Sequence, residues 1–437
     1  MRKLLIAVFT LGFMGLYAQT KDTTAVSPFS FHGQTTVINQ TKSGFKVPYS
    51  GPNSVSPDHE SATSMTATFY AGVRLWKGAS FYVNPEIAGG SGISSVLGIG
   101  SATNGETFRV GSTAPKLYLA RLYFKQHFNL NQDFTQELDD VNQVVEKTAS
   151  HRIDITVGKL SMADFFDQNS YSHDPRTQFM NWALMDAGAW DYAANTRGYT
   201  PGVVAEYFTP KNEWRYGYAL LPQIANGNAM NWNVSKQFAQ TLEYTHYFKM
   251  LNRPGAVRLL GFYNTARMGN YRESIALHPM APDITAVRRY GNTKYGFAIN
   301  AEQQLSTNLG AFTRMSWNDG KNETWAFTQI DNSITLGLHA DGKAWHRNDD
   351  EAGVALVSSG LSKPHQSYLK SGGQDFMLGD GTLHYGREQV MECFYSADLS
   401  HHQIYLTADY QLLFNPGYNT DRKGPLNVFS VRLHYAI

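Results

Sequence analysis

The chain has 437 residues, a formal net charge of +1, a mean hydropathy of -0.36 and an aromatic content of 13%. No basic excess directs it to nucleic acid, and the lone Cys393 excludes an intrachain disulfide or a CxxC redox or zinc site. A polar average with abundant aromatics suits a wall whose residues face lipid and water in turn, because half of them must be polar.

Arg2 and Lys3 precede an apolar run from Leu4 to Leu16, and "LYAQ" offers a small-residue cleavage point after Ala18. Residues 1–18 therefore read as a secretory signal peptide, too short to span a membrane, and 19–437 as a single barrel domain. Loss of Arg2 and Lys3 would take the net charge from +1 to -1. Nothing after Gln19 approaches eighteen consecutive apolar residues, so transmembrane helices are not expected.

From there the pattern is period two. In "TATFYAGVRLW", Phe69, Ala71, Val73 and Leu75 alternate with Tyr70, Gly72, Arg74 and Trp76. "SFYVNPEIAG" sets Phe81, Val83 and Ile87 against Tyr82, Asn84 and Glu86. "KLYLARLYFKQHF" sets Tyr118, Ala120, Leu122 and Phe124 against Arg121, Lys125 and His127. Such alternation predicts strands with one apolar and one polar face. About sixteen are expected, near 29–40, 64–76, 80–89, 116–128, 151–159, 200–208, 214–221, 238–248, 256–267, 293–305, 309–317, 325–340, 351–359, 387–399, 402–415 and 426–437. Short links such as "KGA" after Trp76 take turns with long ones such as 160–198, 269–292 and 360–385. Short turns at one rim, long loops at the other and an even strand count predict an all-β fold. It is a transmembrane antiparallel β-barrel with periplasmic turns and extracellular loops.

Two segments stand out. "NQDFTQELDDVNQVVEKT" spaces Phe134, Leu138, Val141 and Val145 like a helix face, which predicts a periplasmic helical insert. "NPGYNTDRKGP" is expected to be the last extracellular loop, followed by a strand that pairs with the first and closes the cylinder.

Parity turns Arg74, Tyr82, Glu86, Arg121, Arg152, Asp154 and Arg432 towards the lumen, with Glu206 and Arg215. If Trp76 faces Ser80, then Arg74 faces Tyr82 and Tyr70 faces Glu86. Guanidinium forks donate several directed hydrogen bonds, carboxylates accept them, and aromatic rings offer flat surfaces to a pyranose. The set suits a neutral polyhydroxylated solute; the plainer reading is that these charges only hydrate and brace the wall. In loop 160–198, Asp167, Arg176, Trp182, Trp190 and Arg197 are candidates for a constriction, against an external cap packed on its own aromatics. Asp164, Asp167, Asn169 and Asp174 match no EF-hand spacing, adjacent His401 and His402 would point to opposite faces, and neither GxGxxG before a helix nor GxSxG occurs. No metal, cofactor or catalytic role is expected.

Several stretches carry a family resemblance: "FHGQTTVINQTKSGFKVPYSGPNSVSP", "VNPEIAGGSGIS", the block from Gly158 to Thr200, "GDGTLHYGREQVMECFYSADL" and "DYQLLFNPGYNTDRKGP". In this order they resemble the carbohydrate-selective porins of the OprB family. The resemblance implies a monomeric sixteen-stranded barrel in the bacterial outer membrane, in contact with its lipids, that passes sugars by diffusion. The alternatives are a porin for small organic anions and a structural or adhesive barrel plugged by its loops.

Overall fold

The computed structural model describes residues 27–107, 113–400 and 402–437. The expected signal peptide, residues 1–18, lies outside the described residues, as does His401. Strands β1 (Phe29–Lys42), β2 (Glu60–Trp76), β3 (Ala79–Gly90), β4 (Lys116–Asn129), β7 (Arg152–Leu160), β8 (Thr200–Phe208), β9 (Asn212–Leu220) and β10 (Phe238–Met250) make one half of the wall. The other half is β11 (Arg253–Ala266), β12 (Asn292–Ser306), β13 (Leu309–Asn318), β14 (Asn332–Asp341), β15 (Glu351–Gly360), β16 (Glu388–Asp398), β17 (Ile404–Phe414) and β18 (Leu426–Ala436). These sixteen strands form one closed barrel in which every neighbour is antiparallel and β18 returns to β1. At that seam Gly33 and Ile437 exchange N–H···O bonds of 3.0 and 2.9 Å, so the last strand supplies the ladder partner that β1 would otherwise lack.

Alternation does what the sequence demands. In β18, Val428, Ser430, Arg432 and His434 are buried inside, whereas Phe429, Val431, Leu433 and Tyr435 stand out on the other face. Outward rings pair across neighbouring strands. Trp214 and Tyr244 pair at 4.5 Å, Tyr218 and Phe238 at 5.1 Å, and Phe297 and Trp317 at 5.8 Å, the amphipathic girdle of a membrane-spanning barrel.

The structure corrects four expectations. The β2–β3 register is Arg74↔Ser80, Gly72↔Tyr82 and Thr68↔Glu86, because a bulge between Arg74 and Trp76 absorbs a residue at the turn. That bulge places both Leu75 and Trp76 outside. A second bulge opposite Asn84 and Pro85 leaves Ala120 without a partner. Alternation in β4 therefore shifts there, and Tyr118, expected on the lipid face, points inward to Glu86. Residues 325–331 are not strand; Trp325 and Ala326 turn their N–H groups to the Asp191 carboxylate, each at 2.9 Å.

The expected helical insert is a β-hairpin, β5 (Phe134–Glu137) paired with β6 (Glu146–Ala149), turning through Asp140 and Gln143. Its helix-spaced apolar residues Phe134, Leu138 and Val141 are exposed, while Val144, Glu146 and Thr148 are buried at period two. The β-branched Val144, Val145 and Thr148 and contact with the barrel wall outweigh the weak helical periodicity.

Candidate functional site

The segment between β7 and β8, residues 161–199, turns into the barrel. It contains one turn of α-helix, α1 (Trp182–Met185), and a 3-10 turn at Met162–Asp164, so most of its backbone must find partners elsewhere. The inner wall supplies them. Arg314 on β13 donates to the Leu184 carbonyl at 2.7 Å and the Ser172 carbonyl at 2.6 Å, and its Nε lies 3.0 Å from an Asp167 oxygen. Arg432 on β18 donates to the carbonyls of Pro175, Thr177 and Gln178 at 2.7–2.8 Å. Glu392 on β16 accepts from the N–H groups of Met180 and Asn181 at 2.5 and 2.9 Å. Asn264 on β11 donates to the Asp191 carbonyl at 2.5 Å. The loop thereby fills the side of the lumen walled by β10 to β18.

A cavity of about 530 Å³ remains on the opposite side, against β1 to β4. Arg121 forms a two-pronged ion pair with Asp164, Nε to Oδ2 at 2.7 Å and Nη2 to Oδ1 at 2.6 Å, and its guanidinium lies 5.1 Å from the Tyr199 ring centre. Arg176 donates to Glu106 at 2.8 Å and stands 3.9 Å from Glu86 and 3.7 Å from Asp174. Glu86 also accepts from Thr68 at 2.6 Å, Tyr199 at 3.2 Å and Tyr118. Arg197 rests 4.0 Å over the Tyr118 ring. Trp182 stacks near Tyr192 and Phe327, with centres 5.8 and 5.2 Å apart. Four cations (Arg121, Lys125, Arg176, Arg197) thus share the lining with four carboxylates (Glu86, Glu106, Asp164, Asp174). The net field is close to neutral, with forks, acceptors and aromatic faces converging on one water-accessible space.

Of the residues singled out from the sequence, the structure brings Glu86, Arg121, Arg176, Trp182 and Arg197 to this cavity. The remaining candidates for the lumen wall and the constriction lie elsewhere. Arg432, Asp167 and Trp190 are buried where the loop meets the filled wall, Trp190 edge-on to Phe166 at 6.2 Å. Arg152 and Asp154 pair near the short-turn rim, where His127 and Lys125 also approach Asp154 at 2.6 and 3.6 Å. Arg74 and Tyr82 touch the β5–β6 hairpin through the Val145 carbonyl and the Val144 N–H.

Sequence reasoning missed Tyr118, Tyr199 and Glu106. The first is hidden by the bulge, and the last sits in a Gly- and Ser-rich loop with no periodicity to mark it. Asp164 and Asp167, weighed as oxygen ligands, are each engaged by an arginine. Among the described residues, Asp349, Asp398 and His402 cluster at the short-turn rim, but the two ring nitrogens serve different carboxylates at 3.5 and 3.4 Å.

The family model of the carbohydrate-selective porins, OprB family, matches residues 53–436. The chain belongs to the OprB family. Its barrel superposes on the high-pH structure of Pseudomonas putida OprB with a TM-score of 0.70, at 17% identity, covering 94% of each chain. The low-pH structure of the same protein gives 0.51 at 12% identity, covering 94% of this chain and 93% of that one. At such identity the superposition speaks for the fold alone. No curated protein matches significantly. Family and fold are those of channels, and the chain is an outer-membrane carbohydrate porin.

Proposed function

We propose that mono- and oligosaccharides diffuse passively, with moderate selectivity, through the space between the β1–β4 wall and the inward loop, entering at the long-loop rim and leaving into the periplasm. The observation that carries this reading is the balanced lining of Arg121, Arg176 and Arg197 with Glu86, Glu106 and Asp164 beside the rings of Trp182, Tyr118 and Tyr199. Neutral hydroxyls can exchange bonds with both signs of charge while pyranose faces slide over rings. Many weak contacts let a solute enter without holding it. An organic-anion porin would need uncompensated cations, and each lining arginine here faces a carboxylate or a ring.

A single barrel with its own complete constriction supports function as a monomer in the bacterial outer membrane, without a catalytic step. Single-channel recording in planar bilayers tests the reading. A panel of neutral sugars should block current reversibly, and Arg121→Ala and Arg176→Ala should weaken that block. Strong anion selectivity without sugar block would overturn it in favour of an anion porin, and absence of conductance would favour a plugged structural barrel.

A further inference from the structure

Strands β4 and β7 are adjacent in the barrel, and a two- or three-residue turn would join them, as Lys77 and Gly78 join β2 to β3. The chain instead spends residues 130–151 on the link and folds them inward. Asn142 accepts from Asn84, a mid-strand residue of β3, at 2.8 Å. Ser30 donates to the Asp140 carbonyl at 3.3 Å, Arg74 to the Val145 carbonyl at 3.1 Å, and Gly78 N–H to the Glu146 carboxylate at 2.5 Å. Gly72 is the wall position that admits it, since a Cβ there would lie 3.2 Å from Val144 and 2.8 Å from the Tyr82 ring. The hairpin tip, Val141 and Asn142, lines the same cavity as Arg121 and Arg176.

Two adjacent carboxylates stand at the tip itself, while the hairpin's own cation, Lys147, is exposed on β6. Asp139 and Asp140 are exposed at the tip, and Asp139 meets the edge of His32 at 3.4 Å. Of the wall cations nearby, Lys125 and Arg152 pair with Asp154, while Arg74 donates to a hairpin carbonyl and keeps its charge. An exposed carboxylate pair acts over roughly a Debye length, about 8 Å at physiological salt, so an anion passing the tip meets its field.

We propose that the β5–β6 hairpin is a second selectivity element on the periplasmic side: it narrows the exit, and Asp139 and Asp140 turn back anionic solutes, such as phosphorylated or carboxylated sugars, that the balanced constriction does not discriminate against. The inference rests on the reading of the cavity as the solute path. It has its own readout in salt alone.

In planar bilayers with a potassium chloride gradient, Asp139→Asn/Asp140→Asn should lower the cation-to-anion permeability ratio about twofold, and Asp139→Lys/Asp140→Lys about fivefold, as expected for charges close to the path. Block by neutral sugars should stay unchanged. A reversal potential that does not move in the lysine variant overturns the proposal. In a Cys393→Ser background, Val141→Cys treated with a negatively charged thiol reagent should lower conductance in discrete steps. Full labelling without a step shows that the tip is off the path and equally overturns it. Failure of sugars to block the unmodified channel would sink the sugar reading and leave the ion readout intact.

Discussion

Arg314 and Arg121 both project inward from strands of the same barrel, yet their surroundings differ completely. Arg314 is fully buried, and its donors end on loop carbonyls and Asp167. Arg121 ends on a single carboxylate beside a cavity and under a ring. The same contrast separates Arg432 from Arg176. One side of the lumen uses its guanidinium groups to hold a loop; the other keeps them paired but reachable. An inward arginine is therefore a statement about parity, and its role is set by what the opposite side of the barrel brings to it.

The sharpest way to break this contrast is Arg314→Ala. It strands Asp167 and two buried carbonyls, a loss of roughly 3–5 kcal/mol for a broken buried ion pair. Thermal unfolding in detergent should occur well below the parent midpoint, and conductance should rise as residues 161–199 lose their anchor. A conductance that stays at the parent level would mean the loop is held without it.

The second test concerns the cap over the filled side. His365, in helix α2 (Lys363–Lys370), lies between Asp331 at 2.9 Å and Asp375 at 2.6 Å, with the Tyr271 ring stacked 4.5 Å away. Burial alone would push its pKa down, but the two carboxylates outweigh burial and raise it to about 9. A folded-state pKa above the ordinary 6.5 gives stabilisation that is full below pH 6.5 and lost as pH rises through 9, about 3 kcal/mol in all. Protease cleavage within 361–387 should accelerate between pH 7 and 10 in the parent and lose that dependence in His365→Gln. An unchanged pH profile in the variant would remove His365 as the cause.

On the open side effects should appear in transport rather than stability. Arg176→Ala frees Glu86, Glu106 and Asp174 at once and should weaken sugar block about tenfold, the equivalent of 1.4 kcal/mol. A comparable loss of thermal stability to that of Arg314→Ala would erase the distinction between the two sides. The mildest change is Tyr118→Phe, which removes one hydroxyl donor to Glu86 while keeping the ring under Arg197. At about 1 kcal/mol for one hydrogen bond, block should weaken about fivefold. No change would place the hydroxyl outside the solute path.

Much of the barrel was legible because a membrane-spanning strand has a strict period of two. The strand expected at 426–437 is β18, with Arg432 inside and Phe429 and Tyr435 outside. Legibility failed where one residue breaks the period. The bulge opposite Pro85 shifts the parity of Tyr118, and nothing in "KLYLARLYF" signals it, because the cause lies on the neighbouring strand. The helix expected at 131–148 failed for a related reason: four apolar residues at helical spacing are weak evidence beside a wall that offers Tyr82 and Asn84 as partners.

Sequence by itself determined the cylinder. Alternation, turn chemistry and an even count leave a closed antiparallel wall as the arrangement in which every strand edge is paired and every apolar face meets lipid. It also determined which side chains face inward over most of the barrel. Only the tertiary structure decided which of those were covered. Whether Arg432 or Arg176 meets solvent depends on where residues 161–199 come to rest, and that position follows from hydrogen bonds to residues more than a hundred positions away. Periodicity is a local property and can be read locally; satisfaction of buried backbone groups is a long-range one and is settled only when the chain has closed on itself.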